Sequence, residues 1–591
     1  MKTVIISMNS KYIHTPLAAW YLKANCESEC NEISILDFTI NDNIDVILAA
    51  AYKEKGDLYA FSCYIWNIDC VMSIAKSLKK ILPGIKIVLG GPEVSYDSKD
   101  IMKEHNFIDF IIKGEGEVAL AKLIESKLEE IDYYKSVEGL IYKEGNEVLG
   151  DESFNLIKDL NLLETPYTNE ILMNMKNRII YYESSRGCPF SCSYCISSTF
   201  DGVRYFSFDR VKEDLLKIMS YDIRQIKFVD RTFNCNKDRA KKIFKFIIEN
   251  KKDINFHFEV AADLFDDEMI QILSQAPSGL IQFEIGIQTT NVKTLESIDR
   301  KTDINKVFKN IKKISSLGNI HLHLDLIAGL PYESYNSFVK SYNDVYNFLP
   351  NQLQLGFLKM LKGSKIRRER EGFGYKFRDY APYEILENNF LSYEELQELK
   401  GIEDILDKYY NKGKFNKTIN YVIKNFFSSP FDFYKRFYLF NLKNGFYNKK
   451  IAGRELYDIL YKFLSEVLPS EILLYANELL KFDFLSTDNT RNLPSCIHRE
   501  YEPSLKMKSF EFLKETRNIK KFLPGFWGIP AKSVFKSVHF EIFKYDVNKE
   551  AEAQVHMGKN VVLFNYTSKN KVTGTYEYKI LGEFIEIGER N

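Results

Sequence analysis

The densest chemistry in this sequence is Cys188, Cys192 and Cys195, within the run Ser185-Arg186-Gly187-Cys188-Pro189-Phe190-Ser191-Cys192-Ser193-Tyr194-Cys195. The chain has nine cysteines, so a third of them lie at one point. A compact loop with C-x3-C-x2-C spacing can aim three thiolates at one side of a cubane iron–sulfur cluster, which a fourth thiolate would close. With three, one iron stays open to hold a small molecule and pass it an electron. A structural zinc site is the other reading, but it wants four ligands in tetrahedral closure. No fourth Cys or His follows nearby, and the next cysteine is Cys235.

The run resembles the cluster loop of the radical S-adenosylmethionine (radical SAM) enzymes. Its flanks, Ser-Arg-Gly before Cys188 and Pro-Phe after it, resemble the cobalamin-binding branch of that superfamily. The resemblance implies a [4Fe-4S] cluster on the three cysteines, with SAM chelated at the open iron and cleaved reductively to a 5′-deoxyadenosyl radical. Tyr194 stands where the family has an aromatic residue beside the adenine.

Elements that must position this loop follow in residues 173–362, which repeat a strand-then-helix unit. Strands are expected at 179–184, 225–229, 255–261, 281–287, 321–327 and 352–357. Six such units predict a partial (β/α)6 barrel, with its chemistry at the carboxyl ends of the strands. The second strand runs into Asp230-Arg231-Thr232-Phe233-Asn234. That segment resembles the family's Asp-rich stretch near the SAM amino group, with Arg231 an unusual neighbour; a helix cap and turn is the plainer alternative. The third strand carries Glu259, suited to face the lumen, and Asp263 beyond it is equally suited to capping the next helix. On the fourth strand Glu284, Gly286 and Gln288 alternate with apolar residues and share one face. That strand resembles the family's E-x-G-x-Q strand, whose polar end meets the ribose. Arg300 falls where the family often sets a cation against the SAM carboxylate, although a surface arginine reads as well. The fifth strand ends in Gly329-Leu330-Pro331, a turn that matches the family closely. Cys235 reads as a bystander.

Residues 1–130 alternate apolar strands, expected at 3–8, 32–38, 57–62, 85–89 and 107–112, with amphipathic stretches. This predicts a doubly wound, Rossmann-like parallel α/β sheet, whose ligand lies beyond the carboxyl ends of the strands. Those ends carry Asn9, Ser10 and Tyr12; Ser62, Tyr64 and Trp66; Gly90, Gly91, Pro92 and Glu93; and Gly114 and Glu115. Cys63 reads as a buried or bystander cysteine, with a place in the cleft lining as the alternative. The glycine-rich turns are similar to the cobalamin-binding domain that precedes many radical SAM cores. The D-x-H-x-x-G signature, whose histidine ligates cobalt from below, is absent, and His14 lies in no such context. The resemblance therefore implies cobalamin without an evident lower-face ligand. A Rossmann-like domain for another ligand is the alternative.

The expected domains are 1–135, a connector at 136–172 with a hairpin near 137–148, the barrel at 173–365, and a C-terminal region at 366–591. The last reads as mainly helical with a polar break at 486–492 and a small β unit, and resembles an uncharacterised region of some cobalamin-type radical SAM proteins. Lys+Arg and Asp+Glu are both 81 among 591 residues, so no global field recruits nucleic acid or anionic membrane. The basic clusters at 365–370 and 520–521 are short, and a solvated face is the favoured reading. No run reaches membrane-spanning length. A reducing, anaerobic cytoplasm would suit the cluster, with an electron donor such as flavodoxin or ferredoxin. The expected activity is methylation of an unactivated carbon through methylcobalamin. Cobalamin-dependent rearrangement, cyclisation or oxidation without methyl transfer is an alternative, and a cobalamin or redox sensor is another.

Overall fold

A computed structural model describes the chain except at residues 129–130, 201, 491, 501, 548–556 and 582–591, so the end of the expected C-terminal region lies outside the described residues. The chain divides into two compact units. One comprises Met1–Ile314, Ile327–Ser334 and Phe357–Ser392; the other comprises Ser315–Leu326, Tyr335–Gly356 and Tyr393–Asn591.

The first unit begins with β1 (Lys2–Asn9), β2 (Glu32–Thr39), β3 (Leu58–Ser62), β4 (Lys86–Gly90) and β5 (Phe110–Ile112). These strands run parallel in the order β2-β1-β3-β4-β5. Their side chains alternate between two cores. Val4, Ile6 and Met8 pack with Ile47, Ile74 and Leu78 on one face, while Ile5 packs with Ala19, Leu120 and Leu123 on the other. Each fully buried aliphatic chain contributes about 1.5–3 kcal/mol, so both faces hold helices and the sheet is doubly wound. The hairpin read as a connector is instead the sheet's far edge. β6 (Leu140–Glu144) pairs antiparallel with β5, and β7 (Glu147–Gly150) with β6.

β8 (Ile179–Tyr182), β11 (Gln225–Phe228), β12 (Asn255–Glu259) and β13 (Ile281–Gln288) form the parallel barrel wall of this unit. Between β8 and β11 a short antiparallel pair, β9 (Ser185–Gly187) with β10 (Val203–Tyr205), brackets the cysteine run; the sequence gives no periodic signal for strands this short. Outward apolar positions stack on helices, as in Phe258 of β12 against Phe244 of the helix Lys237–Glu249 at 5.2 Å between ring centres. Ser207 and Asn236 cap the helices Phe208–Met219 and Lys237–Glu249 through their side chains. β14 (His321–Ala328) and β15 (Gln352–Phe357), with the helix Tyr335–Tyr346 between them, complete six strand–helix repeats along the chain.

The second unit packs helices Asn416–Phe426, Pro430–Lys443 and Glu455–Val467 through aromatic contacts such as Phe437 on Phe463, 4.6 Å apart. The expected break at 486–492 starts later, because the helix Ser470–Thr487 runs through Ser486. Buried Asp483 on that helix accepts from Thr418 N at 2.9 Å and Thr418 Oγ1 at 2.7 Å, satisfying the start of the helix Asn416–Phe426. A three-stranded antiparallel sheet of Val538–Tyr545, Met557–Lys569 and Tyr576–Ile580 is the expected small β unit. Among the described residues no helix is long and apolar enough to cross a membrane.

Candidate active site

The loop carrying Cys188, Cys192 and Cys195 is held from every side. Gly187 has φ +101°, and a Cβ there would lie 2.3 Å from the Gly202 carbonyl, so only glycine closes this turn. Ser193 N donates to Ile298 O at 2.9 Å, and Ile366 N donates to Ser193 O at 2.9 Å. Arg300 brings Nη1 to 3.7 Å from Cys192 Sγ and 3.3 Å from Tyr194 Oη, and Nη2 donates to the Gly286 carbonyl. Burial pushes the Cys192 thiol up, opposed by Arg300. None of the three thiols is in a disulfide.

Asp230 lies elsewhere than the resemblance implied. It is fully buried, accepts from Ser184 N at 3.0 Å and Ser184 Oγ at 2.7 Å, and also accepts from Ser185 Oγ at 2.5 Å. It is neither a helix cap nor open to a ligand; it fixes the strand that enters the cysteine loop. Asp263 is not the cap of its helix either. Asp266 takes that role, and Asp263 accepts from Thr302 Oγ1 at 3.1 Å.

Glu284 and Glu259 meet Lys227 inside the barrel wall, at 3.0 and 3.8 Å, and His257 Nε2 lies 2.9 Å from Glu284. Burial works against the Lys227 charge, but the two carboxylates outweigh it and hold its pKa above the usual range. Gln288 ends β13 with φ +70°, a conformation rare for a side-chain-bearing residue. Its amide folds over Gly286, where a Cβ would stand 2.1 Å from Gln288 Nε2.

A cavity of about 800 Å³ joins the strand ends of the first sheet to the barrel mouth. Asn9, Ser10, Ser62, Tyr64 and Trp66 line it, as do Gly90, Gly91, Pro92, Gly114 and Glu115; from the barrel come Tyr181, Glu183, Lys227, Arg231 and Glu259. Tyr64 and Trp66 stack at 4.5 Å with nearly parallel planes, and Trp66 Nε1 donates to Met8 O at 3.2 Å. Two expected residues of the first sheet do not line the cavity. Tyr12 lies outside it under the Arg178 guanidinium. Glu93 is buried and accepts from Tyr383 Oη at 2.8 Å. Cys63 is buried, the favoured reading of it, and lies beneath Gly91, where a Cβ would come 2.6 Å from the Cys63 carbonyl.

The structure also shows a charge network that the sequence did not single out. Arg186 pairs with Glu117 at 2.6 Å, Glu183 at 2.9 Å and Glu115 at 3.5 Å, and Arg204 pairs with Glu115 at 2.6 Å. It ties the Gly114-Glu115-Gly116-Glu117 turn to the hairpin flanking the cysteines. Burial raises Glu183 to about 7 despite Arg186. The available signal was the spacing of acids in that turn against Arg186. His14 is also placed here, its Nδ1 2.7 Å from Tyr181 Oη.

The residues present fit the implied groups. Three unbridged thiols on one loop are a donor set for a cubane cluster with an open iron. Gln288 Oε1, Arg300 Nε and Ser193 Oγ are buried without a hydrogen-bonding partner among the described residues. Such groups cost roughly 1–3 kcal/mol each unless a polar ligand meets them.

Three family models match successive parts of the chain: the B12 binding domain at residues 3–124, the radical SAM superfamily at 182–345, and a protein of unknown function, DUF4080, at 371–564. The cobalamin-dependent radical SAM methyltransferase TokK of Streptomyces tokunonensis is 26% identical over 57% of this chain and 52% of its own length. A 2-(S-pantetheinyl)-carbapenam-3-carboxylate methyltransferase of Streptantibioticus cattleyicolor is 26% identical over 55% of this chain and 50% of its own. The chain thus spans about half the length of these curated relatives. The solved structure of OxsB, a cobalamin-dependent SAM radical enzyme, superposes with a TM-score of 0.57 at 16% identity, over 81% of this chain and 78% of that one, which shows the fold. The cofactors of the matched domains are cobalamin for the first, and a [4Fe-4S] cluster with SAM for the second. Domain by domain, the chain carries a B12 binding domain, a radical SAM domain and a C-terminal region of unknown function.

Proposed function

We propose that this protein methylates an unactivated carbon of a small substrate. The observation that carries the reading is the one cavity wall shared by the strand ends of the first sheet, the barrel mouth and the hairpin flanking the cysteines. When bound, the cluster and SAM supply a hydrogen-abstracting radical, and cobalamin supplies the methyl group.

The chain's own work is placement. Cys188, Cys192 and Cys195 would hold the cluster, and Arg300 braces Cys192 and Tyr194 beside it. Gln288, with Arg300, offers polar groups to SAM. Asn9, Ser62, Tyr64, Trp66, Gly90 and Gly91 would seat the corrin; their short side chains and flat rings suit a large flat ligand. The cavity's apolar wall, with Leu22, Leu120, Phe154, Leu156 and Phe200, keeps bulk water from the reacting groups. Holding reactants in such a cleft removes much of the entropic cost of bringing them together. A flavodoxin or ferredoxin in a reducing cytoplasm would deliver electrons.

The test is product analysis with SAM labelled in its methyl group. Label in the product supports transfer. An unchanged methyl count sinks it, and leaves rearrangement, cyclisation or oxidation. Release of 5′-deoxyadenosine after anaerobic reduction separates an enzyme from a sensor.

A further inference from the structure

Charge lining the cavity is almost entirely paired within the protein. Arg186 and Arg204 are matched by Glu115, Glu117 and Glu183, and Lys227 by Glu259 and Glu284. Arg231 is the exception. It lines the cavity, is exposed there, and among the described residues its guanidinium has no ion pair or hydrogen bond.

Its backbone is nevertheless fixed on both sides. Asp230 before it is locked to Ser184 and Ser185. Thr232 after it donates to Arg231 O at 2.8 Å and sets Oγ1 3.8 Å from Cys188 Sγ. The side chain thus projects from an anchored strand end beside the cysteine loop. It is close enough for its charge to oppose the burial that raises the Tyr64 hydroxyl to about 12. A guanidinium here repels an ammonium group and offers five donors in a planar fork, a match for a carboxylate or phosphate. Exposed on the cavity wall and unpaired within the protein, the fork is open to an anion that a ligand brings.

We propose that Arg231 is a substrate-binding residue and that the substrate carries an oxyanion, a carboxylate or a phosphate, held against it. This rests on the methyltransferase reading above and names its substrate class.

The experiment is arginine footprinting of the reconstituted holoenzyme with phenylglyoxal, quantified at Arg231 by peptide mass spectrometry. It needs no turnover, so it stands apart from the labelled-methyl assay that tests the activity. With cluster, cobalamin and SAM bound, Arg231 is expected to stay reactive, and millimolar inorganic phosphate or acetate is expected to slow its modification at least fivefold. Protection by cobalamin or SAM alone would assign the anion to a cofactor and overturn the proposal. Reactivity unchanged by both phosphate and acetate would also overturn it. A second reading uses 31P NMR: broadening of inorganic phosphate by the holoenzyme should be lost in R231Q, and broadening that persists counts against Arg231.

Discussion

Arg300 lies 3.7 Å from Cys192 Sγ and 3.3 Å from Tyr194 Oη, so one guanidinium from beyond β13 braces two residues of the cysteine loop. A charged hydrogen bond in a buried setting contributes roughly 1.5–3 kcal/mol. Arg300→Met is therefore expected to slow SAM cleavage about tenfold to a hundredfold while the protein keeps its iron. Iron analysis beside 5′-deoxyadenosine release checks this. Cleavage at the wild-type rate would reduce Arg300 to packing.

Cluster ligation is the next expectation. Replacing Cys188, Cys192 or Cys195 with Ala should remove most of the about four irons per chain and abolish SAM cleavage. Cys235→Ala should leave the iron in place, because Cys235 Sγ is engaged 3.3 Å from Tyr205 Oη. The reverse pattern, with Cys195 dispensable and Cys235 required, would overturn the assignment.

Gly91 takes φ +106° over the Cys63 backbone. Gly91→Ala puts a methyl group against that carbonyl in a conformation alanine rarely adopts, at a cost of roughly 1–3 kcal/mol. The turn must shift, so cobalamin retained per chain, read by visible absorbance, should fall while iron does not. Equal loss of both would point to general unfolding.

The cavity offers little to ligate cobalt from below. Its one imidazole among the described residues, His14, has Nδ1 at 2.7 Å from Tyr181 Oη. The strand ends supply Tyr64, Trp66 and Ser95 instead. Electron paramagnetic resonance of the divalent cobalt form should lack nitrogen superhyperfine splitting from an axial ligand. Its appearance, and its loss in His14→Ala, would make His14 a ligand.

Asp483 gives the second unit a pH dependence. Burial raises its pKa from 3.8 to about 7 against the donors of Thr418 and Lys417. The folded chain therefore keeps a proton that the unfolded chain releases, and this contribution, complete at low pH, is lost as pH rises through about 7. Asp483→Asn keeps an acceptor for Thr418 and removes the charge. Between about pH 5 and pH 8 wild type should lose up to roughly 3 kcal/mol more than the variant. Parallel denaturation curves at the two pH values would show that Asp483 is not protonated in the fold.

The sequence by itself determined the cysteine triad, both parallel sheets and most strand limits. Those signals are local: C-x3-C-x2-C spacing, buried apolar runs, and alternation such as Glu284-Ile285-Gly286-Ile287-Gln288. Only the tertiary structure decided which polar strand ends face the cavity. Asp230 and Glu93 carry strand-end signals as good as those of Glu115 and Glu259, yet each is consumed by internal donors, Ser184 and Ser185 for one and Tyr383 for the other. Those donors lie 45, 46 and 290 residues away, and no local pattern reports them. The Arg186–Glu117 pair, 69 residues apart, and the unmatched Arg231 are legible only there for the same reason. Whether a charge is spent or free depends on what long-range folding sets within a few ångströms of it.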